Sequence, residues 1–175
     1  MRLFIAILFD EITKQKILAV QERLQNLGWG NFTQVDNLHL TLVFLGEISE
    51  NRLSTLQRII DEAAETTFCL TFDHVGWFPR EGGDIWWIGL QQNMKLEQIH
   101  QKLRSKLILA DFILESRYFT PHVTLARKFI SSSGIDLKYL MGQMFTTRAT
   151  AISLMQSQMI AGKLTYTQLY KRELT

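Results

Sequence analysis

The sequence predicts an α+β fold: a bilobal, pseudo-twofold duplication of one strand–helix–strand unit, with two small, mostly antiparallel sheets facing a central cleft and helices outside. Two observations support it. Apolar residues follow strand periodicity in some segments and helix periodicity in others along the whole chain. Sliding the sequence by 83 positions (122 − 39) also superposes two His-x-Thr-Leu motifs, at 39–42 and 122–125. The same offset superposes the elements around the motifs, which indicates a duplication.

Seven segments have the alternating or continuous apolar pattern of strands. They are 2–9, 38–46, 68–78, 84–91, 119–128, 144–160 and 163–172. Under the 83-residue offset, 4–7 matches 87–90 and 68–72 matches 151–155. Two turn signals separate neighbouring strands: Gly82-Gly83 and Ala161-Gly162.

Three segments have apolar residues at three- and four-residue steps and are predicted to be helices. They are 11–26, 51–65 and 94–109, and the first superposes on the third at the common offset. The second copy has a polar loop, 131–134, where its second helix is expected. We therefore predict that this helix is shortened or lost.

Length and composition fit one domain, 1–175, with its two lobes sharing a core. Of the 175 residues, 46% are hydrophobic and 21% charged, which excludes a disordered chain. A net charge of +2 does not by itself indicate nucleic-acid binding. The single Cys69 excludes an internal disulfide and fits a reducing cytosol. The first apolar run is short and meets Asp10 at once, so we expect a buried strand rather than a signal peptide or a membrane span.

The two motifs are the candidate catalytic residues. Side chains alternate in a strand, so His39 and Thr41 share one face of the first motif strand, and His122 and Thr124 share one face of the second. If a pseudo-twofold axis relates the lobes, these faces meet across one groove. Two imidazoles can act as acid and base in a displacement at phosphorus, while two hydroxyls donate to its non-bridging oxygens.

The opposite face of the first motif strand is apolar and suited to packing under helices; it carries Leu38, Leu40, Leu42 and Phe44. Val43 and Leu45 continue the His39 face. By the same alternation Arg127 points away from His122, as a surface residue, unless a twist or bulge turns it toward phosphate.

The other candidates are less specific. Trp29, between two glycines, is either a packing residue or a ring on which a base stacks. We expect His74 to be a partly buried, hydrogen-bonded sheet residue and His100 to lie on a helix surface. No spacing typical of a zinc site is present, and Cys69 has no base beside it to make it a nucleophile.

At this point the residues resemble the two-histidine phosphoesterase superfamily, and within it the bacterial and archaeal RNA 2′,3′-cyclic phosphodiesterases, once called 2′-5′ RNA ligases. The resemblance covers nearly the whole chain. Its segments are 2–7, 37–47, 76–79 and 119–127, followed by Ser157, Gly162, Tyr166, Leu169 and Tyr170. Departures are modest: no proline follows the first strand, and the basic stretch before the strand at 84–91 is short.

The resemblance implies hydrolysis of a terminal RNA 2′,3′-cyclic phosphate to a 2′-phosphate without metal or cofactor, reversible as 2′-5′ ligation. It implies that His39 is the proton donor and His122 the proton acceptor. We expect further substrate contacts beside the motifs. The residues are Leu40, Leu42, Val123, Leu125, Arg127 and Trp29. We also expect a cytoplasmic monomer that acts on RNA ends. Open alternatives are an esterase for small cyclic nucleotides or ADP-ribose cyclic phosphate, and a non-catalytic RNA-end binder.

Overall fold

The computed structural model describes residues 1–175 and contains two antiparallel sheets. The strands are β1 (Arg2–Leu8), β2 (Gly28–Phe32), β3 (His39–Glu47), β4 (Phe68–Phe78), β5 (Asp84–Leu90), β6 (His122–Ser131), β7 (Phe145–Ala149), β8 (Ala151–Ile160) and β9 (Lys163–Glu173). The four-stranded sheet has the order β3-β1-β8-β9, and the five-stranded sheet has the order β2-β6-β5-β4-β7. The predicted α+β class is confirmed.

Four α-helices accompany the sheets: α1 (Glu11–Gln25), α2 (Leu53–Ala63), α3 (Met94–Leu109) and α4 (Leu137–Met141). Side chains cap three of them: Asp10 accepts from the Thr13 backbone N–H at 2.8 Å, Asn93 accepts from that of Leu96 at 3.1 Å, and Asp136 accepts from those of Lys138 and Tyr139 at 3.0 and 3.3 Å. The five-residue α4 confirms that the second helix of the second copy is shortened. None of the helices combines the length and hydrophobicity that crossing a bilayer requires.

Three strand predictions need correction. The segment 144–160 forms two strands in different sheets, since Thr150 separates β7 from β8. The strand predicted from 119 begins only at His122, because Pro121 has no N–H for a ladder hydrogen bond. The glycine-flanked segment at Trp29 was not predicted as a strand, yet β2 pairs with β6, and its glycines let the two backbones approach closely.

The 83-residue repeat is visible in the strands. However, the two copies do not form one sheet each. β1, β3 and β4 correspond to β5, β6 and β8. However, β4 pairs with β5 in the five-stranded sheet, and β8 pairs with β1 in the four-stranded sheet. The helices cross over too, because α1 packs on β2 and β7 while α3 packs on β3. Each lobe is therefore built from both halves of the chain.

One cluster of 38 buried apolar residues lies under both sheets. The apolar stripe of α3 belongs to it, with Leu96, Ile99, Leu103 and Leu107 at most 1% exposed. The cluster also includes Ile5 of β1 and Val123 of β6, from the two different sheets. Because the lobes share one core, the relative position of β3 and β6 is set by packing rather than by a linker.

Candidate active site

The two motif strands bring all four predicted side chains into one cavity. β3 contacts β6 across the boundary between the sheets. His39, Thr41, His122 and Thr124 line a single cavity of about 510 Å³, together with Arg127. The imidazoles are 83 positions apart in sequence (122 − 39), so this convergence depends entirely on the packing of the two lobes.

Each motif strand has a bulge directly after its threonine. Between β1 and β3 the register passes from Ile5↔Val43 to Ala6↔Thr41, which leaves Leu42 as the extra residue. Between β5 and β6 it passes from Trp86↔Ala126 to Trp87↔Thr124, which leaves Leu125 as the extra residue. A bulge resets the alternation of all later side chains in its strand.

The reset decides one open prediction and corrects two that assumed strict alternation. Of the two orientations left open for Arg127, the bulge gives the one on the cleft side with His122, and Arg127 lines the cavity. Phe44 also lines the cavity and is 38% exposed, although it was assigned to the packing face. Val43 and Leu45, expected on the His39 face, are instead 4% and 6% exposed core residues. Under the repeat, Phe44 is the counterpart of Arg127, and the Arg2 guanidinium lies 5.2 Å above the Phe44 ring, so both sides of the cleft carry an arginine.

A side chain from the opposite half holds each bulge. The Nδ1 of His100 on α3 lies 2.8 Å from the Leu42 carbonyl oxygen. The amide of Gln21 on α1 donates to the Leu125 carbonyl at 2.9 Å. These hydrogen bonds replace ladder partners that a bulge removes. Sequence analysis missed Gln21, whose signal was a polar residue four positions after Ile17 on the apolar stripe of α1.

The hydrogen bonds of both imidazoles determine which ring nitrogen is available for proton exchange. The Nδ1–H of His39 donates to the Asn37 carbonyl at 2.7 Å, and that of His122 donates to the Thr120 carbonyl at 2.5 Å. A carbonyl only accepts, so Nδ1 carries the proton and Nε2 is available for proton exchange in each ring. The Nε2 of His39 lies 2.9 Å from Thr41 Oγ1.

Aromatic rings pack around both imidazoles. Phe4 and Tyr166 lie 4.8 and 5.1 Å from the His39 ring, centroid to centroid. Phe78 and Trp87 lie 5.2 and 5.8 Å from the His122 ring. Such contacts restrict ring orientation, and they exclude water from the inner side of each imidazole. The rings therefore present Nε2 in a defined direction.

Burial lowers the pKa of both histidines. Burial, together with the smaller effects of the positive charges of His122 and Arg127, lowers the pKa of His39 to about 4, against the opposing effect of its hydrogen bond to Asn37. Burial likewise lowers the pKa of His122, and Arg127 adds to the effect. Both rings are therefore neutral in the free protein at pH 7. A bound anion has the opposite effect and favours their protonation.

Several other predicted site residues lie elsewhere. Leu40, Leu42, Val123 and Leu125 are at most 2% exposed and belong to the core, because their side chains point to the helix-covered face. They pack the motif strands and do not line the 510 Å³ cavity, although Leu42 lines a neighbouring cavity of about 360 Å³. Trp29 is 60% exposed on β2 and does not line the cavities that contain His39.

One of the remaining histidines differs from expectation. His100 is half-buried rather than a surface residue, and its ring stacks on Phe119 with centroids 3.8 Å apart. His74 lies on β4 and its Nδ1 is 2.6 Å from an Asp73 carboxylate oxygen, as expected of a hydrogen-bonded sheet residue, and its side chain is 50% exposed. No group of three or more His, Cys, Asp and Glu side chains is arranged to hold a metal ion.

Comparison with known proteins agrees with the family that the two motifs resemble. A family model described as the 2'-5' RNA ligase superfamily matches residues 12–155. An RNA 2',3'-cyclic phosphodiesterase of Archaeoglobus fulgidus is 30% identical over 128 residues, which are 73% of this chain and 72% of that protein. Its namesake in Escherichia coli K12 is 31% identical over 147 residues, covering 83% of this chain and 81% of the other.

A solved structure shows the same architecture. The crystal structure of E. coli LigT complexed with 3'-AMP superposes with a TM-score of 0.85 at 29% identity, covering 99% of this chain and 98% of LigT. Family model, relatives and structure agree with the resemblance that the two motifs indicated. The chain belongs to the 2'-5' RNA ligase superfamily.

Proposed function

We propose that this protein hydrolyses the 2′,3′-cyclic phosphate at the 3′ end of RNA and leaves a 2′-phosphate. One observation carries the proposal: two imidazoles with fixed tautomers line the same cavity as two threonine hydroxyls and a guanidinium. The relatives named RNA 2',3'-cyclic phosphodiesterase support the reaction. The LigT complex with 3'-AMP supports an RNA-like ligand.

The proposed reaction is an in-line displacement by water at phosphorus. His122 accepts a proton from the attacking water through Nε2 as the new O–P bond forms. The bond between phosphorus and the 3′ oxygen breaks, and His39 donates its Nε2 proton to that oxygen. The products are a 3′-hydroxyl and a 2′-phosphate, and proton exchange with solvent restores both rings.

The hydroxyls and the guanidinium would stabilise charge on the phosphoryl group. Thr41 and Thr124 donate to the two non-bridging oxygens, on which negative charge increases in the transition state. Arg127 is one of two arginines that line the same cavity, and it counters the charge of the diester without a metal ion. Run in reverse with a 5′-hydroxyl in place of water, the same groups would form a 2′-5′ linkage.

The protonation state of His39 depends on the charge of the bound substrate. His39 must be protonated to act as the donor, yet burial lowers its pKa to about 4 in the free protein. A phosphodiester anion bound between the rings raises both pKa values, because it attracts the imidazolium form. Substrate binding therefore supplies the protonated state that the chemistry requires.

The pH profile follows from these shifts. In the reactive state His39 is protonated and His122 is neutral. In the free protein the pKa values of both rings lie below 6.5. We therefore expect kcat/KM to fall as pH rises above about 6.5, while kcat, which reports the substrate complex, stays high to a more alkaline pH. Initial rates from pH 4 to 9 measure both profiles. A kcat/KM that is level between pH 6.5 and 8 would contradict the assignment.

The reaction itself is tested with an oligoribonucleotide that ends in a 2′,3′-cyclic phosphate. We expect ring opening with the phosphate retained on the 2′ oxygen, at a rate that EDTA does not change. Phosphate on the 3′ oxygen would mean that the imidazoles act in the opposite sense. Binding without opening would favour the RNA-end binder, and loss of activity in EDTA would overturn the metal-free mechanism.

Two further features belong to the proposal. A monomer suffices for the proposed reaction, since one chain supplies all the groups named above. The unpaired, exposed Cys69 supports a cytoplasmic location, where thiols remain reduced.

A further inference from the structure

Three cavities meet at Thr124 and Arg127, and they differ in charge. The cavity of about 510 Å³ adds one more arginine, Arg2, and a second cavity of about 400 Å³ adds one lysine, Lys163. The third, of about 360 Å³, adds three arginines: Arg80, Arg104 and Arg117. Its one carboxylate side chain is that of Glu115. The third cavity is therefore the most cationic way out of the phosphate site.

This cationic cavity continues to the outer face of α3. A further cavity of about 530 Å³ shares five of its residues, namely His100, Arg104, Arg117, Tyr118 and Phe119. The 360 Å³ cavity begins at His122 and Thr124, and the 530 Å³ cavity ends beside Ile108 near the end of α3. Together they form one continuous surface, which we call the basic arm, defined by Arg80, Arg104, Arg117, Tyr118 and Phe119.

The basic arm also carries one exposed aromatic ring suited to a nucleobase, with a second, partly buried ring beside it. Tyr118 is 98% exposed, so its ring makes little contact with the protein. Phe119 stacks in parallel on His100, with an interplanar angle of 5°, and forms a wall shared by both cavities. Cationic side chains interleaved with exposed rings are typical of single-stranded nucleic-acid binding.

We propose that the basic arm binds the RNA strand on the 5′ side of the terminal nucleotide, with Arg104 and Arg117 on upstream phosphates and Tyr118 stacked on a base. This inference rests on the proposed function. Since the cyclic phosphate is the 3′ end, the rest of the strand leaves the site in a single direction. The preferred substrate is then an oligoribonucleotide rather than a mononucleotide.

The arginines of the arm are held by contacts that a phosphate can replace. Arg117 pairs with Glu115 at 2.8 Å, but both side chains are more than half exposed. Arg104 donates to the Glu115 backbone carbonyl at 3.1 Å. An exposed ion pair contributes little stability, so exchanging the carboxylate for phosphate costs little. The Glu115 carboxylate, in contrast, repels an incoming phosphate.

The experiment compares two substrates: a tetraribonucleotide ending in 2′,3′-cyclic phosphate and a mononucleoside 2′,3′-cyclic phosphate. We expect wild-type kcat/KM to be about 100-fold higher for the tetranucleotide, from two charge-assisted phosphate contacts and one stacked base. Arg104→Gln/Arg117→Gln lowers this ratio about tenfold, Tyr118→Ala lowers it by a similar factor, and Glu115→Gln raises it two- to threefold. The control Lys138→Gln/Arg148→Gln, on α4 and β7, removes the same charge outside the arm and leaves the ratio unchanged.

The salt dependence of kcat/KM distinguishes a phosphate contact from a purely structural role of Arg104, because a structural role would leave this dependence unchanged. Each phosphate contact on a single strand contributes about −0.7 to the slope of log(kcat/KM) against log salt concentration. The double variant should therefore lose about 1.4 from the tetranucleotide slope. If the ratio of kcat/KM between the two substrates is the same in the wild type and the double variant, the basic-arm proposal is wrong and the proposed function is unaffected. If neither substrate is opened, the proposed function fails instead.

Discussion

Replacing either motif histidine by alanine should lower turnover of a cyclic-phosphate RNA by about 10²- to 10⁴-fold, the usual contribution of a positioned acid or base. His39→Ala removes the proposed donor, and His122→Ala removes the proposed acceptor. The double variant should be hardly worse than either single variant, because the two rings act in one proton-transfer sequence and their effects do not add. Single-turnover rates measure this without interference from product release.

His74→Ala is the matched control, since this histidine is exposed on β4 and is not among the residues lining the reactive cavity. We expect it to retain wild-type turnover. Removing His39 also removes its bond to Asn37 and its contact with Phe4, so circular dichroism and urea unfolding should accompany the rates. A folded His39→Ala or His122→Ala variant with near wild-type turnover would end the two-histidine mechanism.

Thr41→Val and Thr124→Val should each lower kcat by about 10²- to 10³-fold, the cost of losing one donor to a developing oxyanion. Valine keeps the shape and the strand preference of threonine, so the loss reports the hydroxyl. The effect should appear in kcat rather than in KM, because the charge on the phosphoryl oxygens increases in the transition state.

The two threonines should differ in one respect. Thr41 lies 2.9 Å from the Nε2 of His39, and no such contact joins Thr124 to His122. Thr41→Val should therefore also displace the pH profile of kcat, while Thr124→Val should lower it without displacement. Thr146→Val, exposed on β7, is the control for the substitution itself. Identical pH profiles for Thr41→Val and the wild type would show that the Thr41–His39 contact does not affect the reaction.

Much of the fold could be predicted because local periodicity reports helices and strands directly. The predicted helix at 94–109 and the strands at 68–78 and 163–172 match α3, β4 and β9 closely. The repeat offset predicted which elements correspond. It could not predict the exchange of β4 and β8 between sheets, because strand pairing depends on contacts far apart in sequence.

The hardest feature to predict was which side chains of the motif strands face the cleft. Period-two alternation placed Arg127 away from His122, and a single extra residue at Leu125 reverses that result. The bulge carbonyl is satisfied by Gln21, 104 positions away. A bulge whose partner comes from the opposite half of the chain leaves no short-range pattern in the sequence.

By itself the sequence determined the chemical groups and their local pairing. An imidazole and a hydroxyl two residues apart in a strand must share a face, wherever the strand lies. Only the tertiary structure decided that both pairs meet in one cavity, that Arg127 and Phe44 join them, and that burial lowers the pKa of His39 to about 4. The physical reason is that convergence, bulge registry and desolvation all depend on which distant residues pack together.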